Sequence, residues 1–148
     1  MNVPDTLLIL NAAATWSMVG LIWFVHRVHY PMFDRYTRDD FADIASLHQR
    51  RTTGVVIGPM VIELVTAAML VITPPLGVPA WQTAVGFALA LVWAGSTAWL
   101  SVPIHRKLSA GFDATAHRRL ITTNAVRTAA WTIRGLLVAV MLMQRLSS

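Results

Sequence analysis

The chain has 148 residues, 55% apolar and only 13% charged, where ordinary soluble domains carry about 25% charged residues, and its mean hydropathy is +0.56. This excludes a soluble globular domain and leaves one membrane domain, residues 1–148, with the lipid bilayer as its surroundings. The charge of +5 does not point to a nucleic-acid partner, because the 12 Lys and Arg residues fall in the turns and half-spans between apolar runs and not on one soluble face.

Met1 to Thr6 carries Asp5 and no Lys or Arg, so no cleavable signal is expected. Span one is predicted over about residues 6–30. Thr6 to Val25 is free of charge and matches the ~20 residues that cross a hydrocarbon core. Its polar exit is His26, Arg27, His29 and Tyr30, and Pro31 marks its end. Trp16, Gly20, Trp23, Arg27 and Tyr30 share one face of a regular helix.

Residues 34–51 mix Asp34, Asp39, Asp40 and Asp43 with Arg35, Arg38, Arg50 and Arg51. Phe41, Ile44, Ala45 and His48 fall on one helical face, which predicts a short amphipathic helix at the interface between spans one and two. Span two follows over about 52–73, with Gly54-x-x-x-Gly58, a bending Pro59 and one acid, Glu63. A Pro-rich turn ends at Pro79. Span three, about 80–104, sets Gly86, Ala90, Ala94 and Ala98 at four-residue spacing, a stripe that admits a close neighbour.

His105, Arg106 and Lys107 open the second basic connection, Arg118 and Arg119 close it, and span four covers about 120–144. The expected fold is all-α, a four-transmembrane-helix bundle running up-down-up-down in a bacterial inner membrane. Both basic loops are then cytoplasmic and both termini outside, with Arg145 the one charge against that orientation.

Two polar sets carry the candidate chemistry. His26, His29, His48, His105 and His117 all fall at the basic-loop ends of the spans, where alternating helices bring them to one depth. They read either as interfacial histidines bonded to water or as ligands for haem or another His-ligated metal. With no cysteine in the chain, iron–sulfur and thiolate zinc sites are excluded.

The second set is deeper. On span four, His117, Leu120, Asn124, Arg127, Trp131, Arg134 and Val138 lie on about one third of the helix circumference. Arg127 lies ~12 Å and Arg134 ~22 Å beyond Arg119, and Glu63 lies ~18 Å beyond Arg51. A lone intramembrane arginine costs from about 2.5 to more than 10 kcal/mol, so one of the two is expected to pair with Glu63, leaving the other to meet an anionic group. Either the pair only orients spans two and four, or Glu63, Asn124, Arg127 and Arg134 line a ligand or catalytic pocket. Trp81 reads as an interfacial anchor, whereas Trp93, Trp99 and Trp131 are deep and expected to pack. The scattered methionines do not suggest copper handling.

The run Val102-Pro103-Ile104-His105-Arg106-Lys107-Leu108, with Asn124-x-x-Arg127-Thr128 and Trp131, resembles small four-helix bacterial membrane proteins related to the anthrone oxygenase-like family. Trp16-x-x-x-Gly20-x-x-Trp23 and His29-Tyr30-Pro31 fit the same group, although Ala125 stands where an aromatic is expected. The resemblance implies oxidation of an aromatic phenol without an evident cofactor. A looser similarity in size and helix count, to four-helix haem-binding protoporphyrinogen oxidases, gives the histidine set a precedent.

The expected function is therefore to bind a small hydrophobic molecule, aromatic or quinone-like, between the helices, with an oxygenase or redox activity. A haem or metal protein is the second reading. The third is a non-catalytic subunit or scaffold, acting as a homo-oligomer or in a membrane complex.

Overall fold

A computed structural model describes residues 2–148. Asn2 caps the first helix by accepting from the Asp5 amide at 3.0 Å, and Pro4 sits in the first turn, where its missing N–H is no loss. Helix α1 covers Val3–Phe24 and continues through a π turn, Val25–His29, and a 3-10 segment, Tyr30–Arg35. Helix α2 covers Phe41–Ile72 and stops at Thr73, ahead of two prolines. Helix α3, Ala80–Gly95, passes through a second π turn, Ser96–Ser101, into α4, Val102–Leu108. Helix α5 covers Ala114–Leu146.

These segments make four helices long and apolar enough to cross a membrane, and the described residues contain no strand. Around the bundle α1 lies beside α2 and α5, and α3 beside the same two, so α2 and α5 face each other across the centre. The basic connections lie at one end. At the other, Asp5 pairs with Arg145 at 2.6 Å, and Ser148 lies against the turn at Gly77, whose φ of +76° is one that glycine adopts freely.

The surface is apolar and the centre is not. On α2, Val55, Ile57, Val61, Ile62 and Val65 are exposed, while Glu63 and Thr66 are buried. Lipid accepts apolar side chains as readily as a core does, so polar residues turn inward to find partners.

Four expectations change. The amphipathic stretch after Thr37 is not a separate interfacial helix: nothing between Phe41 and Thr52 interrupts the backbone, and α2 runs through. Phe41 and Ala45 are buried in a cluster with Phe33, Leu108 and Leu120, so their apolar face meets protein. On span one, Trp16, Gly20, Trp23 and Arg27 are exposed but Tyr30 is 3% exposed. The π turn between them holds a surplus residue and rotates Tyr30 inward.

The small stripe also breaks up: Gly86 and Ala90 are buried, Ala94 is half-buried and Ala98 is exposed, because a four-residue spacing drifts by about 40° per step on a 3.6-residue helix. Trp99, expected to pack, is 80% exposed. A Cβ at Gly54 or Gly58 would meet nothing within 4 Å, so this pair holds no neighbour inside the bundle.

At the start of α5, Asp113 accepts from the Ala116 amide at 2.7 Å and pairs with Lys107 at 2.6 Å. The Lys107 ammonium, followed by the backbone donor, holds the Asp113 carboxyl below its usual range. A depressed carboxylate stabilises the fold above its unfolded pKa and loses that effect as pH falls through the lower folded value. Asp113→Ala is therefore expected to melt earlier than the parent at neutral pH, with the gap closing only below about pH 4. Thermal melting in detergent across pH 3–7 checks this.

Candidate functional site

Two polar assemblies occupy the bundle, separated by Trp131. The first is a closed lock at the centre. Glu63 is wholly buried and pairs with Arg134, which is 1% exposed, at 2.5 Å. The same carboxylate oxygen, Oε1, accepts from Thr15 Oγ1 at 3.0 Å, and Oε2 accepts from Trp131 Nε1 at 2.8 Å. Arg134 also donates through Nη2 to Asn11 Oδ1 at 2.8 Å and through Nη1 to the Gly86 carbonyl. Asn11 in turn donates to the Glu63 carbonyl at 3.0 Å and to Thr66 at 2.7 Å.

All four spans thus meet at one ion pair. Gly86 serves it directly, since a Cβ there would stand 3.1 Å from Arg134 Nη1. Both oxygens of Glu63 and all three nitrogens of Arg134 are engaged within protein, so this pair holds the bundle in register. Arg134 borders a space of only about 10 Å³, too small for a ligand.

Asn11 and Thr15 escaped the sequence reading. Their signal was present: an amide inside a charge-free span, followed one turn later by a hydroxyl on the same face, is costly in lipid unless it bonds inward.

The second assembly lies nearer the basic loops. His29 stacks on His48 with ring centroids 4.2 Å apart, and His48 lies 5.7 Å from His105. His105 Nε2 shares a hydrogen bond of 2.9 Å with the Tyr30 hydroxyl, which also accepts from Arg127 Nη2 at 3.4 Å. His117 joins at the edge, its Nε2 2.7 Å from the Tyr30 carbonyl oxygen and its ring stacked on Phe33. His26 stays apart, with Nδ1 3.4 Å from the Asn124 amide.

Three of the five histidines therefore gather around the ring of Tyr30, a residue the sequence placed at a helix exit on the Trp16 face, and a fourth meets its carbonyl. Among the described residues no set of three or more His, Asp or Glu side chains is arranged to hold a metal. Imidazole lone pairs lie in the ring plane, and the stacked His29 and His48 meet face to face.

Arg127 is buried like Arg134 but is held differently. It is 7% exposed, makes no ion pair among the described residues, and donates to Asn124 Oδ1, a contact one turn away on its own helix. Its Nε is buried without a partner. Asn124 is wholly buried and positions this guanidinium.

Arg127 lines a cavity of about 120 Å³ bounded by all four spans. Trp131, Met18, Ile22, Val56 and Met60 supply apolar wall, while Tyr30, His48, His105, Thr52 and Ser101 supply the polar side. An unpaired cation beside an apolar chamber suits an anion or a strong acceptor oxygen on an apolar body.

Of the expected site residues, Arg127, His48 and His105 line this chamber, Asn124 stands behind Arg127, and Glu63 and Arg134 belong to the lock. No protein-family model, no curated protein and no solved structure matches the chain.

Proposed function

We propose that this membrane bundle binds a small hydrophobic molecule carrying one acceptor oxygen, aromatic or quinone-like, in the chamber beside Arg127. The observation that carries this reading is the buried guanidinium without a carboxylate. A protein that needed Arg127 only for its fold would be expected to provide the partner that Arg134 has.

Volume narrows the ligand. An engineered cavity of about 150 Å³ in another protein takes up benzene, so about 120 Å³ here suits a single ring. The tricyclic phenols of the anthrone oxygenases are larger, and a ring of quinone or phenol size is the better fit. In this pose the ring lies against Trp131 and its oxygen meets Arg127, on the side of the chamber that Tyr30 and His105 also line. Oxidation of the bound ring is the form that the resemblance to the anthrone oxygenase-like group gives this reading.

The excess of Lys and Arg in the two basic connections supports an orientation with those loops, and hence the chamber, toward the cytoplasm. Haem is the weaker alternative, because the chamber is far smaller than a porphyrin.

The test is to purify the protein from its native membrane in mild detergent, extract it with organic solvent and identify the released molecules by mass spectrometry. The expected result is an aromatic or quinone-type compound near one per chain, lost from Arg127→Gln while the variant elutes and melts like the parent. Recovery of phospholipid alone from both proteins refutes the reading.

A further inference from the structure

A second hollow, of about 230 Å³, opens on the outside of the bundle between α1 and α2. It shares Leu21, Val25, His48 and Thr52 with the inner chamber. Its outer parts are Phe24, Val55 and Arg51, with Phe24 58% and Val55 60% exposed on the face that meets lipid. The two hollows are therefore separated by one layer of side chains, and that layer includes His48.

From this arrangement we infer that the ligand reaches the chamber sideways from the bilayer, through the α1–α2 cleft, and keeps an apolar tail in the outer groove when bound. The inference rests on the ligand reading above and adds to it the class of molecule: a lipid-dissolved ring with a tail.

Three features carry it. The first is the shared wall itself. The second is its charge: Arg51 borders the groove and Arg127 the chamber, so a polar head meets a guanidinium on both sides of the threshold. The third is the backbone at the cleft, where the π turn Val25–His29 replaces regular helix. His29 Nε2, on that turn and on the groove wall, is buried without a partner. A π turn inside an α-helix is rare and is frequently found at functional sites.

The chain contains no cysteine, so a single introduced thiol reports on the route. Ser101 lines the chamber and is 1% exposed, and Ser101→Cys places a thiol there at little steric cost. The variant is reconstituted in phosphatidylcholine vesicles and treated with N-ethylmaleimide, which dissolves in lipid, or with a small sulfonated methanethiosulfonate, which does not.

Rapid labelling by the maleimide and slow labelling by the sulfonate are expected. Adding Leu21→Trp at the threshold should slow the maleimide by an order of magnitude or more. Equal labelling by both reagents, or no effect of Leu21→Trp, overturns the inference. An unfolded double variant would label faster with both reagents, and Thr52→Phe then blocks the same threshold from α2. If the labelling pattern holds while Arg127→Gln keeps its ligand, the route stands and the anchoring role fails. If Arg127→Gln loses its ligand but labelling shows no side entry, the chamber fills from water.

Discussion

Glu63→Ala should leave little folded protein, with an expected loss of about 3–5 kcal/mol, because truncating one partner of a buried pair strands the other charge. Here the stranded group is Arg134, 1% exposed. With the carboxylate gone, Arg134 Nε, Trp131 Nε1 and Thr15 Oγ1 each lose an acceptor, and the cost of a buried unsatisfied group, about 1–3 kcal/mol, falls on several at once.

Arg134→Ala should be as damaging from the other side. The double variant Glu63→Leu with Arg134→Met is expected to recover most of the loss, since replacing both partners of a buried pair by apolar residues is often neutral. Melting temperature and the monodisperse fraction in detergent read all three. A Glu63→Ala protein as stable as the parent would mean that the lock does not hold the bundle.

Arg127 should behave in the opposite way, although it lies on the same face of the same helix. Arg127→Leu removes a buried charge that no carboxylate among the described residues balances, and the gain offsets the lost bonds to Asn124 Oδ1 and the Tyr30 hydroxyl. A change of no more than about 1 kcal/mol in either direction is expected. Its ligand should be lost altogether, because a leucine offers the acceptor oxygen nothing. Differential scanning fluorimetry with the extraction assay gives both numbers from one preparation. A collapse in stability matching that of Arg134→Ala would reassign Arg127 to the scaffold.

The contrast between these two arginines marks how far the sequence could be read. The four spans, the inward face of α5 and the need of one arginine for Glu63 all follow from the 3.6-residue period and the cost of charge in lipid. Which arginine wins does not. Both stand near the depth of Glu63 along their helices, and the choice is made by Trp131, whose indole takes Oε2 from the Arg127 side, and by Asn11 and Gly86, which accept the rest of Arg134.

Tyr30 was misplaced because its helix does not stay regular. A wheel drawn at a constant 100° per residue runs true only while the helix stays α, and nothing in Val25–His29 or Ser96–Ser101 announces a wider turn. The merged interfacial helix is a different failure: its amphipathic period was right, but the face was assigned to headgroups when other parts of the bundle cover it.

Those two wider turns have a consequence for how this chain tolerates length changes. Each amounts to one inserted residue, and each leads into a ring that meets the other above the chamber, Tyr30 on the first span and His105 on the third. Deleting a single residue from either would restore an ideal helix and improve local geometry. Because the wider turn already absorbs that residue, the deletion would leave Tyr30 or His105 facing inward; tightening the turn to α without a deletion would instead rotate the rest of that span by about 100° and swing the ring out toward lipid. The central lock lies on the far side of both turns and would keep its alignment in either case, so a full-length chain whose wider turns tightened to α could fold well and still have no chamber.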